Sequence, residues 1–177
     1  MAKKICAIVS LSIIGVLIIT TIIMANININ YGINFKAPVY VYVNNTEVSL
    51  TEQNKIVEYI NGASNENCLN ALFTGKLNNQ AKVVNTGSKK LSTTKGYSVE
   101  FYYDEPQILM ESNKKYTDEN GKSYTYERLI FEITENNGEA EYKVYVIPNS
   151  EERNVYSHYY ILNADFTDLY NYLVTTL

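Results

Sequence analysis

The stretch Ile5–Ala25, ICAIVSLSIIGVLIITTIIMA, carries no charged residue across 21 positions and directly follows Lys3 and Lys4. About 20 apolar residues at 1.5 Å rise cover the roughly 30 Å hydrocarbon core of a bilayer. The expectation is an uncleaved signal anchor, a transmembrane helix over residues 5–25. A cleaved signal fits less well, because its apolar core usually runs only ~7–15 residues and Ile23 is too large for the −3 position of a cut after Ala25. Two lysines precede the run and only Lys36 follows it closely, so the positive-inside rule puts residues 1–4 in the cytoplasm. The rest of the chain then lies outside the cell, held at the membrane by a single pass. Residues 26–37, polar and rich in Asn, read as a juxtamembrane linker. Residues 38–177 are left as one extracytoplasmic domain of a common size.

Charge narrows the partners. All 19 acidic residues but only 13 of the 15 basic ones lie after the apolar run, so that part carries −6. An acidic domain is a poor match for nucleic acid, which calls for a basic face against phosphate. Cys6 and Cys68 are the only cysteines, and Cys68 stands alone in the domain, which excludes an intradomain disulfide. Abundant Asn, Ile, Lys and Tyr, with no Trp, suggests a bacterial source with an AT-rich genome.

Periodicity then sets the fold class. Pro38 opens a strand that runs to Val43, and Asn44-Asn45 is a turn signal. Ser49-Leu-Thr-Glu52 is a capping box heading a helix with Leu50, Val57 and Ile60 at helical spacing, stopped by Asn61-Gly62. Cys68, Leu69, Leu72 and Phe73 suggest a second short helix. From Ala81 the period becomes two. Ala81–Asn85 and Gly96–Asp104 read as strands separated by a loop, with Tyr97, Val99, Phe101 and Tyr103 on one face. Tyr124–Thr134 and Glu139–Ile147 flank Asn136-Asn-Gly138, a hairpin signal, and Val155–Leu162 is a last strand. A C-terminal helix capped by Asn163 or Asp165 carries an apolar stripe of Phe166, Leu169, Tyr170, Leu173, Val174 and Leu177. The pattern is α+β: an antiparallel β-meander packed by helices, including the amphipathic C-terminal one.

No catalytic motif emerges, so a non-enzyme is the expectation. His158 is the only histidine, and it reads as a partly exposed strand residue with no nucleophile context around it. No clustered metal ligands stand at zinc-like spacing. Tyr116–Glu127 shares Asp118, Asn120, Gly121 and Glu127 with a calcium loop but lacks its first carboxylate, so it reads as a solvated hairpin turn. No cofactor site is expected.

One excess remains. Tyrosine occurs 17 times, and strand alternation puts Tyr102, Ile130, Tyr145, Ile147, Tyr156 and Tyr160 on the faces opposite the core. A flat apolar ring with a hydroxyl suits an interface. Tyr102, Tyr145, Tyr156 and Tyr160 are therefore the candidate partner-binding residues, unless helices cover both sheet faces. The expected function is a membrane-anchored, non-catalytic module that binds a partner protein, peptide or envelope ligand. Two alternatives stand beside it. One is an envelope hydrolase using a carboxylate pair among Asp104, Glu105, Glu127 and Glu132. The other is a self-protection or stress accessory protein that sequesters an incoming molecule.

Overall fold

The computed structural model describes residues 2–30, 35–67, 81–91, 96–111, 114–148, 155–162 and 164–177. Helix α1 (Ala2–Ala25) precedes strand β1 (Asn28–Asn30). Strands β2 (Tyr40–Val43) and β3 (Thr46–Glu47), helix α2 (Leu50–Gly62) and strand β4 (Asn65–Asn67) follow. Then come β5 (Lys82–Lys90), β6 (Tyr97–Ile108), β7 (Met110–Glu111), β8 (Lys114–Lys115), β9 (Thr125–Asn136), β10 (Glu139–Ile147) and β11 (Val155–Ile161). Helix α3 (Thr167–Thr176) comes last. The main sheet has seven strands in the order β3-β2-β6-β9-β10-β11-β5, each described pair antiparallel. An α+β fold built on an antiparallel sheet with helices packed against it is what the period-two runs called for, but the sheet is not the expected meander: β5 lies at the far edge beside β11, and β2 pairs with β6.

Helix α1 corrects the reading of the N-terminal run. Among the described residues no helix is long and apolar enough to cross a membrane. Ser10, Ser12, Thr20 and Thr21 also interrupt the apolar surface, the two threonine hydroxyls donating to the Val16 and Leu17 carbonyls at 2.9 Å. The expected single-pass anchor over residues 5–25, and the cell-membrane placement with cytoplasmic N-terminus and extracellular domain, are therefore not supported. Residues 26–37, expected as linker, contribute to the fold: β1 pairs with β4, and Phe35 is buried. The Asn61 amide holds Phe35 in place, accepting from its N–H at 2.8 Å and donating to its carbonyl at 3.0 Å.

The capping box forms as expected. Ser49 Oγ accepts from the Glu52 N–H, and the Glu52 carboxylate accepts from the Ser49 N–H at 2.8 Å. The buried face of α2 is Ile56 and Ile60, one turn apart, whereas Leu50 at the first turn is left in solvent. In α3 the stripe is narrower than the sequence suggested: Phe166, Leu169 and Leu173 are buried, while Val174 and Leu177 are exposed. Asp165 is not the expected cap: the N-cap is Phe166, with no side-chain cap bond, and the Asp165 carboxylate one residue earlier accepts from the Thr167 N–H at 2.9 Å. The second short helix expected around Cys68–Phe73, and the Asn163 cap, lie outside the described residues.

Two departures from the strand reading share one cause, the β-bulge. Strand β5 does not stop at Asn85 but runs to Lys90 across a register shift opposite Tyr156 and His158. Strand β6 runs through Pro106 because the register shift between Tyr102 and Gln107 takes that residue out of the ladder. Such extra residues bend a strand and re-aim its side chains. The Asn136–Gly138 turn is as expected, with positive φ at Asn137 (54°) and Gly138 (86°) joining the β9–β10 hairpin.

Candidate functional site

Helices α2 and α3 pack on the same face of the sheet. Tyr59 of α2 meets Tyr172 of α3, and Ile56, Ile60, Leu169 and Leu173 join one core with Val99, Phe101, Leu129, Phe131 and Val144. One ladder row on this side reads Val43–Val99–Phe131–Val144–Tyr160–Val83 across six strands.

The neighbouring row, one residue along, points to the other side. It reads Tyr42–Glu100–Ile130–Tyr145–Tyr159–Val84. Six strands at about 4.8 Å spacing make this row about 24 Å long. A second row, Tyr40–Tyr102–Arg128–Ile147, runs beside it. Ile130, Tyr145 and Ile147 form a separate small core packed only with Leu91, Tyr156 and Tyr159, with no helix residue in it. The Tyr145 and Tyr156 rings lie 4.4 Å apart.

A polar network is set into this face. Arg128 Nη1 donates to the Tyr102 hydroxyl at 2.9 Å, which donates to Glu100 Oε2 at 3.0 Å. Arg128 and Glu100 also form an ion pair at 3.8 Å with little side-chain exposure. The Tyr102 ring stands edge-on to Tyr42 at 5.1 Å, and the Arg128 guanidinium lies 5.3 Å from its centroid. Glu132 is buried beside Tyr145. Burial, reinforced by that carboxylate, pushes the Tyr145 phenol well above its ordinary pKa. Buried Glu100 thus pairs with buried Arg128, as a buried charge requires, while Glu132 lies opposite Lys143 of β10.

Of the four tyrosines singled out from sequence, Tyr102, Tyr145 and Tyr156 lie on this face. Tyr160 does not: it is buried on the helix side, and its hydroxyl accepts from the Met110 N–H at 3.3 Å. The bulge between Tyr156 and His158 breaks the alternation, so Tyr156 and Tyr159 share the outer face although an odd spacing separates them. Sequence reasoning missed Tyr42 and Tyr159 for that reason and because the short β2 offered few residues to phase. His158 is also corrected: it is buried at 3% exposure rather than partly exposed.

The other chemistry candidates are placed as follows. Asp118 Oδ1 accepts from the Asn120 and Lys122 N–H groups at 2.9 and 2.8 Å, which makes the calcium-like stretch a hairpin turn. Among the described residues no group of three or more His, Cys, Asp or Glu is arranged to hold a metal ion. Glu132 pairs with Ser98, four positions along β9 from the Tyr102–Arg128 rung, and Asp104 and Glu105 lie beyond that rung. Glu132 thus stands at least about 13 Å from that group, whereas Glu127 lies with Asp104 and Glu105 in the stretch between the Tyr102–Arg128 and Gln107–Tyr126 pairs. Compared with known proteins, the chain matches no family model, no curated protein and no solved structure.

A few backbone groups along edge strand β5 and around β2, which lies next to edge strand β3, are taken up locally. At β5, the Val83 N–H donates to Glu111 Oε1 at 3.1 Å and the Gly87 N–H to Asn85 Oδ1 at 2.9 Å. At β2, Gln53 Nε2 donates to the Pro38 carbonyl at 2.9 Å, and the Val48 N–H donates to the Val41 carbonyl at 3.1 Å.

Proposed function

We propose that this protein is a non-catalytic binding module whose tyrosine-rich sheet face takes an extended, basic segment of a partner protein or peptide. The observation that carries the reading is the row Tyr42–Glu100–Ile130–Tyr145–Tyr159–Val84, an aromatic and acidic strip on the side away from α2 and α3. Rigid tyrosines offer contact area at low entropic cost. Half-exposed Tyr102, Tyr156 and Tyr159 are the accessible anchors, and the negative faces of their rings favour a Lys- or Arg-bearing guest. About seven extended residues at 3.3 Å each match the 24 Å strip.

The test is titration of the full chain with eight-residue peptides of matched Tyr/Val content that carry either Lys and Arg or Asp and Glu. Saturable binding of the basic set, weakened at least tenfold by Tyr102→Ala or Tyr156→Ala with the fold retained, is the expected result. Equal binding of both sets, or binding untouched by those substitutions, overturns the proposal.

A further inference from the structure

On the helix side, the row Val41–Phe101–Leu129–Val146 ends at His158. A histidine at the end of an apolar row must satisfy two ring nitrogens with little water near. Nδ1 meets Ser157 Oγ at 2.7 Å. Nε2 is the one buried side-chain nitrogen or oxygen without a hydrogen-bond partner among the described residues. Its cover is aromatic: the Tyr116 and Tyr124 rings stand 5.4 and 4.6 Å from the imidazole.

Both rings come from one arm, described at residues 109–111 and 114–124, which leaves the sheet after β6 and returns at β9. The arm is laced by its own backbone, with the Leu109 N–H donating to the Tyr124 carbonyl and the Tyr116 N–H to the Leu109 carbonyl, each at 2.8 Å. It is docked by buried Leu109, by the Met110 N–H on the Tyr160 hydroxyl, and by Glu111 on the Val83 N–H. We propose that this arm is a latch: it stays closed over neutral His158 and opens when Nε2 takes up a proton.

Either neutral tautomer can share one hydrogen bond with Ser157. The imidazolium carries a second N–H that points among rings and has no acceptor, and a buried charge without a partner is costly. The groups around it do not relieve that cost. The arm presents the Tyr116 and Tyr124 phenols, with Glu111 acting on Tyr116. Its own strand presents Ser157 and the Tyr160 phenol, while β5 and β10 oppose it with Asn85 and Val146. Burial alone pushes the His158 pKa down. The docked state therefore holds its full stability above the unfolded-state value of about 6.5 and loses it as pH falls below that.

Hydrogen exchange of the full chain at pH 7.5 and 5.5, corrected for intrinsic rates, tests the latch. Protection of the Leu109, Tyr116 and Tyr124 amides should fall by up to about tenfold per pH unit below 6.5, while Phe131 and Val144 stay protected. His158→Phe should keep the arm closed at both values. Arm opening at pH 5.5 in His158→Phe, or an unchanged or tightened arm in the parent chain, overturns the proposal. If that variant does not fold, the parent chain decides by proton NMR, since its only histidine gives a single imidazole signal. Titration below 6.5 in step with arm opening sustains the latch; titration at or above 6.5 rejects it.

Discussion

The rows Val43–Val99–Phe131–Val144–Tyr160–Val83 and Tyr42–Glu100–Ile130–Tyr145–Tyr159–Val84 run through the same six strands one residue apart. The first is almost wholly aliphatic and aromatic and has two helices to bury it. The second mixes rings with a carboxylate, and its small core is built from sheet residues and Leu91. Identical backbone pairing thus supports two surfaces with different duties. The helix side carries the cohesion of the fold, and the other side keeps hydroxyls and charges fixed in place, with no helix among the described residues packed on its small core.

Substitutions can break or sharpen this contrast. Phe131→Ala should have the largest effect. Its ring contacts Phe35, Phe101 and Phe166, and its loss should cost about 3–5 kcal/mol in urea unfolding, whereas Tyr159→Ala across the sheet should cost under about 1 kcal/mol. Equal losses would erase the distinction. Arg128→Met should cost about 3 kcal/mol by stranding Glu100, and adding Glu100→Gln should recover part of it, a coupling that a double-mutant cycle reads directly. Ser49→Ala removes the cap of α2 and should lower stability by about 1 kcal/mol while leaving ring contacts on the outer face unchanged by NMR. Glu111→Ala should barely change stability, under about 0.5 kcal/mol, but should expose the β5 edge and make light scattering rise with concentration.

Much of the helix side was legible in the sequence, because alternation in β6, β9 and β10 and the Ser49–Glu52 cap are local signals. Asn137-Gly138 fixed its hairpin by backbone preference alone. The outer face was half legible: Tyr102, Tyr145 and Tyr156 fell where alternation put them. Tyr160 and His158 did not, because a bulge in the β5–β11 pairing is set by long-range packing and leaves no local mark. The N-terminal run shows the converse limit. Hydrophobicity read over Ile5–Ala25 suggested a membrane span, whereas the described helix does not meet the length and apolarity that crossing requires.

The place of β5 has a consequence for the order of events during synthesis. Its partner in the main sheet is β11, and the hydroxyl of Thr86 reaches the Ser157 carbonyl across 71 residues of chain. At ~5–20 residues per second, β5 leaves the ribosome roughly 4–14 s before the strand that receives it. The strands β6, β9 and β10, joined through nearer neighbours, can assemble in that interval. A long unpaired segment therefore waits on the nascent chain with Lys82, Lys89 and Lys90 along it, and repulsion between those charges on neighbouring copies keeps it single until the C-terminal third arrives.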